Sequence, residues 1–298
     1  MSLSLAFIGL GAMGEPMAGH LADAGMLTAT YDSRAEAMRS FCARHVGVRA
    51  GGSPADAASG VDAVITMLPT SQVVAQVANG PLGIAAAKRP PRFVIEMSSG
   101  VPGQTQAIAR QLGEVSIAML DAPVSGGVTR ARAATLAIMV GGDAALLDAA
   151  RPALERMGRV THVGGLGAGQ ALKALNNMAS AAGLLIASEV LWVATRFGIE
   201  PEVVVDVLNN SSGMNNATRT KLKEFVLSGS YSSGFGLDLM VKDLGIAGEL
   251  AESLGAQVPL SAACLRIWRQ AAQRLGPGHD HTEIAEVSAE LAGLRIPD

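Results

Sequence analysis

The feature that most constrains this chain lies in its first fourteen residues. An apolar run, Leu3–Ile8, leads directly into Gly9-Leu10-Gly11-Ala12-Met13-Gly14, and a helical pattern, Met13–Ala24, begins inside that turn. A strand, a G-x-G-x-x-G turn and a helix in immediate succession form the entry to a βαβ unit that binds a dinucleotide. The first glycine permits the tight turn, the second lets backbone approach a pyrophosphate, and the third lets the helix lie close to the strand. The helix N-terminus then presents free N–H groups to the phosphates. Asp32 follows 18 residues after Gly14, at the end of a second candidate strand, Thr28–Tyr31. A carboxylate there accepts from ribose hydroxyls and repels a 2′-phosphate, which favours NAD over NADP. Arg34 keeps NADP open, since it could pair with a 2′-phosphate if Asp32 turned away.

The same alternation continues through the first half. Ala63–Leu68, Phe93–Glu96, Ala118–Asp121 and Leu136–Val140 read as further strands between Ala-rich helical stretches. Several are unbroken apolar runs, as expected of strands covered by helices on both faces of a mostly parallel sheet. After Val163 the pattern changes. Gly164–Gly169 is a glycine-rich hinge, and a long helix is expected from Gln170 to Phe197. Beyond it Pro201 starts a helix, Asn209–Gly213 breaks it, and helices fit Val241–Ser253, Leu260–Arg274 and His281–Ala292. The fold expected is an α/β Rossmann domain with a mostly parallel sheet, residues 1–164, followed by an all-α C-terminal domain, residues 165–298, joined to it by the long helix.

Composition narrows the partners. With 49% hydrophobic and 16% charged residues the chain can bury a large core, and a net charge of −3 without a basic stripe argues against nucleic acid. No basic residue precedes Arg34 apart from His20, so the N-terminal apolar run does not resemble a secretion signal. Two distant cysteines, Cys42 and Cys264, then read as reduced thiols, and the expected location is cytoplasmic. Asn176, Asn177, Ser180, Ser188 and Glu189 interrupt the most apolar stretch, Ala174–Ala194, so a buried helix is expected there and no membrane partner. The only His/Asp cluster, His279-Asp280-His281, follows a Gly-Pro-Gly turn and suits a helix start capped by Asp280; no metal is expected.

Three more segments complete a pattern: Asp121-Ala122-Pro123-Val124-Ser125-Gly126-Gly127, Gly167-Ala168-Gly169-Gln170-Ala171-Leu172-Lys173-Ala174-Leu175-Asn176-Asn177, and Lys242-Asp243-Leu244-Gly245-Ile246-Ala247. With the N-terminal glycine turn they resemble, in order and spacing over nearly the whole chain, the β-hydroxyacid dehydrogenase family. The likeness is greatest to its 3-hydroxyisobutyrate dehydrogenase and tartronate semialdehyde reductase branches, whose C-terminal domains are 6-phosphogluconate dehydrogenase-like. The resemblance implies an NAD(P)-dependent oxidoreductase that interconverts a small β-hydroxy acid and its semialdehyde. It implies Lys173 as general acid/base with Asn177 as its partner, four residues on and on one helical face. It places the substrate carboxylate on Ser125, Gly126 and Gly127. It puts the cofactor against Gly9, Leu10, Gly11, Ala12, Met13, Gly14 and Asp32, the turn Met67-Leu68-Pro69, and Ser99, which stands where the family usually has threonine. Lys242 belongs to the nicotinamide end, and Phe235 is a candidate to pack there.

Two other readings compete. Imine reductases share the architecture but generally lack the lysine, and a non-catalytic dinucleotide sensor would have no need of Ser125, Lys173, Asn177 and Lys242 together. The substrate's side chain and the direction of reaction stay open. The polar run Asn209–Asn216 hints at a hydroxylated substrate, although such residues are also ordinary in turns. The apolar length of the long helix suggests a homodimer or homotetramer.

Overall fold

A computed structural model describes residues 3–291 and 293. Among these residues nine strands form one sheet: β1 Leu5–Ile8, β2 Leu27–Tyr31, β3 Arg49–Ala50, β4 Ala63–Thr66, β5 Phe93–Glu96, β6 Ala118–Asp121, β7 Val124–Ser125, β8 Leu136–Gly141 and β9 Gly158–Gly164. Their order is β3-β2-β1-β4-β5-β6-β8-β7, with β9 also paired to β8. All pairs from β3 to β6 are parallel. Direction reverses only where β8 meets β6 and β7, and β8 and β9 are again parallel.

Seven helices accompany this sheet: α1 Gly14–Asp23, α2 Ala35–Arg44, α3 Pro54–Ala58, α4 Ser71–Asn79, α5 Pro102–Glu114, α6 Gly127–Arg132 and α7 Ala144–Leu154. Side chains alternate along each strand, so each central strand feeds two cores. Phe7, Ile65, Phe93, Ile95 and Leu120 join the core on one face. Ala6, Ile8, Val64, Val94 and Met119 join the core on the other. Burial on both faces explains the unbroken apolar runs.

The strands expected at Phe93–Glu96 and Ala118–Asp121 have those bounds. The first candidate starts at Leu5 rather than Leu3, and the one expected at Ala63–Leu68 ends at Thr66, because the chain turns there. β3, β7 and β9 were not expected. Two residues leave no periodic signal, and β9 has mixed burial, with Thr161 and His162 exposed.

The long helix α8, Ala168–Phe197, starts two residues before the expected Gln170. The chain divides into two compact units after Lys173, inside this helix. In the second unit follow α9 Pro201–Asn209, α10 Asn216–Thr220, a π-helical stretch at Leu222–Leu227, α11 Leu237–Ser253, α12 Pro259–Leu275 and, after a 3₁₀ turn at His281–Glu283, α13 Ile284–Leu291. Ala292, the expected end of the last helix, lies outside the described residues. Leu184, Leu191, Val205, Leu222, Leu244, Trp268 and Ile284 are among the buried apolar residues of this unit.

By length and composition α8 could cross a membrane, with a mean hydropathy of 1.6 in its most apolar window. Polar groups along it are nevertheless engaged inside the protein. Ser188 Oγ donates to Leu184 O at 2.9 Å, and Asn215 Nδ2 donates to Gly183 O at 3.1 Å. Its last turns carry exposed Ile186, Val190, Val193 and Phe197.

Candidate functional site

The glycine turn has the geometry its spacing implies. Gly9 has φ +103°, and a Cβ there would lie 2.2 Å from Met67 O; a Cβ on Gly14 would lie 1.9 Å from Gly9 O. Both glycines are therefore required by close backbone approach. A Cβ on Gly11 would meet nothing within 4 Å, so the space above Gly11 is open to a ligand. Met13, the N-cap of α1, supplies no side-chain hydrogen bond. Glu15 N–H already bonds Gly11 O at 2.9 Å, and the rest of this uncapped helix start suits an anion. Leu10 is buried, Gly11 and Ala12 are exposed, and Met13 is half-buried. These residues fit a dinucleotide pyrophosphate.

Asp32 is 8% exposed, just beyond β2. Its Oδ2 accepts from Leu10 N–H at 2.7 Å, and its Oδ1 accepts from Arg34 N–H at 2.8 Å and Arg34 Nε at 3.1 Å. Arg34 also donates to Leu10 O at 2.9 Å. Burial pushes the Asp32 carboxyl up, but the bonds from Arg34 and Leu10 outweigh it and hold it below the usual carboxylate range. Both oxygens that would face a ribose diol are partnered, yet one partner is a guanidinium side chain 62% exposed, which a ligand can displace at little cost.

The turns after β4 and β5 are tied together. Ser98 Oγ accepts from Leu68 N–H at 2.8 Å, and Ser98 N–H donates to Glu96 Oε1 at 2.7 Å. Met67 and Leu68 are half-buried, Pro69 is exposed, and Ser99 is half-buried. Glu96 and Asp121, the last residues of β5 and β6, lie opposite each other in register. Glu96 is 1% exposed and Asp121 fully buried. Burial raises both carboxyls, that of Glu96 to about 7. Neither was singled out in the sequence, where each reads as the polar end of a strand.

Ser125 ends β7, and Gly126 and Gly127 follow with φ of +138° and +65°. A side chain at either would be strained there. Ser125 and Gly127 are half-buried and Gly126 is exposed at the start of α6. Lys173, the last residue of this first unit, is 7% exposed within α8.

In the second unit Asn177 is buried one turn further along α8. Its Nδ2 donates to Asp243 Oδ2 at 2.6 Å, and its Oδ1 accepts from Asn176 Nδ2 at 3.2 Å. Lys242 Nζ lies 3.3 Å from Asp243 Oδ1, so buried Asp243 joins Asn177 and Lys242. Asp243 was not singled out as a site residue. The signal was an acid on the inward face of α11, in step with Leu237, Met240 and Leu244.

Phe235, considered for the nicotinamide end, packs edge-on against His281, with ring centres 5.5 Å apart at 84°. His281 Nδ1–H donates to Phe235 O at 3.1 Å, which leaves Nε2 to accept from Lys221 Nζ at 2.7 Å. Burial lowers Lys221 to about 8, and burial also lowers His281. Asp280 is the N-cap that the sequence suggested, accepting from Thr282 N–H and reciprocated by Glu283. His279 is paired with Glu283 at 2.5 Å. Among the described residues no group of three or more His, Cys, Asp or Glu is placed to hold a metal. Three of the four asparagines of the polar run bond local backbone. Asn209 bonds Thr218 O, Asn210 bonds Asp206 O, and Asn215 caps α10. The hint of a hydroxylated substrate drawn from them is weaker for that reason, since their amides serve the local backbone.

Two family models together cover most of the chain. Residues 4–165 match the family model described as the NAD binding domain of 6-phosphogluconate dehydrogenase. Residues 167–288 match the model described as the NAD-binding domain of NADP-dependent 3-hydroxyisobutyrate dehydrogenase. The chain is 39% identical to the NAD-dependent L-serine dehydrogenase of Pseudomonas aeruginosa, over 89% of this chain and 91% of that one. It is 33% identical to the 2-(hydroxymethyl)glutarate dehydrogenase of Eubacterium barkeri, over 99% and 98%. The solved structure of Mycobacterium tuberculosis 3-hydroxyisobutyrate dehydrogenase with L-serine superposes with a TM-score of 0.88 at 34% identity, covering 96% of this chain and 99% of that one.

Proposed function

Because this chain belongs to the β-hydroxyacid dehydrogenase family and is an NAD(P)-dependent oxidoreductase of that family, we propose that it oxidises a small β-hydroxy acid to the semialdehyde with NAD, using Lys173 as the general acid/base. The observation that carries the reading is buried Lys173 set one helical turn from buried Asn177. When bound, the nicotinamide supplies a hydride acceptor, or a donor in reduction. Ser125, Gly126 and Gly127 hold the substrate carboxylate through the hydroxyl and converging backbone N–H groups. Lys173 takes the proton from the β-hydroxyl as hydride leaves, and returns it in the reverse direction. Asn177 orients the hydroxyl, itself held by Asp243. Asp32 meets the adenosine ribose once Arg34 yields, which favours NAD.

The substrate sought is of the size of L-serine or 3-hydroxyisobutyrate, in line with the named relatives; tartronate semialdehyde is the polar alternative. A dehydrogenase screen of 3-hydroxyisobutyrate, L-serine, glycerate, threonate, 4-hydroxybutyrate and 2-(hydroxymethyl)glutarate with NAD and NADP tests this. Turnover of at least one with NAD preferred supports it. Reduction of a cyclic imine with no turnover of any hydroxy acid contradicts it.

We also infer that a second copy of this chain covers the stripe Ile186, Val190, Val193 and Phe197, which Val203 and Val207 of α9 extend in sequence with two more exposed apolar residues. Exposed apolar rows of this kind mark interfaces. A dimer or tetramer by light scattering that Val193→Asp weakens supports the pairing; a monomer that sediments with lipid vesicles overturns it. We propose a cytoplasmic location, where Cys42 and Cys264 would be kept as reduced thiols.

A further inference from the structure

Thr66, Glu96 and Asp121 end three adjacent parallel strands and pair laterally, Thr66 with Glu96 and Glu96 with Asp121. By parity they continue the face of Val64, Val94 and Met119. A polar row thus crosses the sheet edge where one core ends. All three are almost fully buried.

The first turn of α8 is built onto this row. Asp121 Oδ1 accepts from Gly167 N–H at 2.7 Å and Oδ2 from Gln170 N–H at 2.8 Å. The fit is tight enough that a Cβ on Gly169 would lie 2.7 Å from Asp121 Oδ2. Gln170, 1% exposed, uses its whole amide. Its Nε2 donates to Glu96 Oε2 at 2.5 Å and to Ser98 O at 2.8 Å, and its Oε1 accepts from Gly100 N–H at 2.7 Å. Ser98 in turn holds Leu68 N–H, and Ser71 Oγ holds Val101 N–H.

One buried side chain therefore joins the turn after β5, and through Ser98 the turn after β4, to the helix that carries Lys173 three residues later; both turns line the cofactor in the function proposed. The amide satisfies Glu96, Ser98 O and Gly100 N–H, which an apolar residue of the same size would leave buried and unpartnered. An amide with all three of its bonds made, buried at the point where two functional segments meet, suits exact placement.

We propose that Gln170 is a positioning residue that fixes the first turn of α8, and with it Lys173, against the cofactor-lining turns at Leu68 and Ser98–Gly100. The proposal rests on Lys173 being the acid/base. Gln170→Leu keeps the volume and removes all three bonds. Misplacement of a reacting group by about 1 Å costs on the order of 100-fold in rate, so kcat falls roughly 10- to 100-fold. The KM for NAD changes less than kcat does, because the glycine turn and Asp32 are untouched and only the turn at Ser98–Gly100 loses an anchor.

Gln170→Glu is the rescue. The carboxyl group it introduces faces that of Glu96, and the two share one proton, which restores a donor between them. Asp121 is the other buried acid on this row. The ratio of Gln170→Glu kcat to wild-type kcat is then near one at the acid end of the working range and falls as pH rises. A residue with a merely structural role gives no such pH-dependent ratio.

The proposal is overturned if Gln170→Leu retains kcat within about twofold. It is equally overturned if KM for NAD rises in step with the loss of kcat, or if Gln170→Glu shows a pH-independent ratio. Lys173→Ala run alongside separates the two failures. An active Lys173→Ala sinks the acid/base reading and the positioning claim together. An inactive Lys173→Ala beside a fully active Gln170→Leu sinks the positioning claim alone.

Discussion

Asp32 and Glu96 are both carboxylates at the carboxyl ends of parallel strands, one just beyond β2 and one closing β5, yet their surroundings drive them in opposite directions. Asp32 has a guanidinium beside it and two backbone N–H donors, and is held below the usual range despite burial. Glu96 is met instead by an amide, a backbone N–H and another carboxylate opposite it on the neighbouring strand, and burial raises it to about 7. The decisive difference is whether a partner can be exchanged. The Arg34 side chain is mostly in water, so a ribose can take its place. Gln170 and Ser98 are buried, so Glu96 can serve only the protein. Strand-end acids in this sheet thus divide into one group that suits a ligand and one that builds the platform beneath it.

The largest effect expected on this contrast comes from the platform. Asp121→Ala leaves the N–H groups of Gly167 and Gln170 buried without an acceptor and destabilises by about 3 kcal/mol, measured by denaturant unfolding at neutral pH. A loss below about 1 kcal/mol would put Asp121 among the dispensable strand ends.

Glu96 comes next, through pH. Its folded-state carboxyl titrates at about 7 against 4.5 for an ordinary glutamate, so folding favours the protonated form. The stability this contributes is complete below about pH 4.5 and is lost as pH rises to about 7, by about 3 kcal/mol at most. Glu96→Gln removes that titration. The wild-type stability relative to Glu96→Gln should therefore decline from about pH 4.5 to about 7 and then level off. A difference that grows with pH breaks the contrast, because Glu96 would then behave like Asp32.

A smaller effect sharpens the ligand side. Asp32→Asn removes the charge that repels a 2′-phosphate and loosens Arg34, shifting the ratio of kcat/KM for NADP over NAD upward by roughly tenfold. No shift means that Asp32 does not face the ribose. The smallest effect belongs to Arg34→Ala, which removes an exposed, displaceable partner. KM for NAD changes by less than about threefold and unfolding is unaffected within error; a rise in KM of roughly tenfold would instead make Arg34 a direct ligand group.

What was legible in the sequence follows from range. The glycine turn is legible because strand, turn and helix are consecutive, and the bounds of Phe93–Glu96 and Ala118–Asp121 because the strand interiors are apolar between polar ends and turns. The all-helical second half is legible from its pattern after Val163, apart from the start of α8 and the edge strand β9 before it. Glu96, Asp121, Gln170 and Asp243 were passed over for one physical reason. Each matters through a partner 46 to 74 residues away, and a lone polar residue at a strand end or in a helix carries no trace of that partner. Asp243 came nearest to declaring itself, as an acid on an inward helical face. Phe235, singled out for a ligand, has the ring of His281 as a neighbour in the fold.

The central claim is that Lys173 moves the proton. The most direct measurement is kcat for Lys173→Ala with the best substrate from the screen, beside the dissociation constant for NAD by calorimetry. The account predicts a fall in kcat of roughly 10²- to 10⁴-fold with NAD binding nearly unchanged. A Lys173→Ala enzyme that keeps most of its turnover would contradict it.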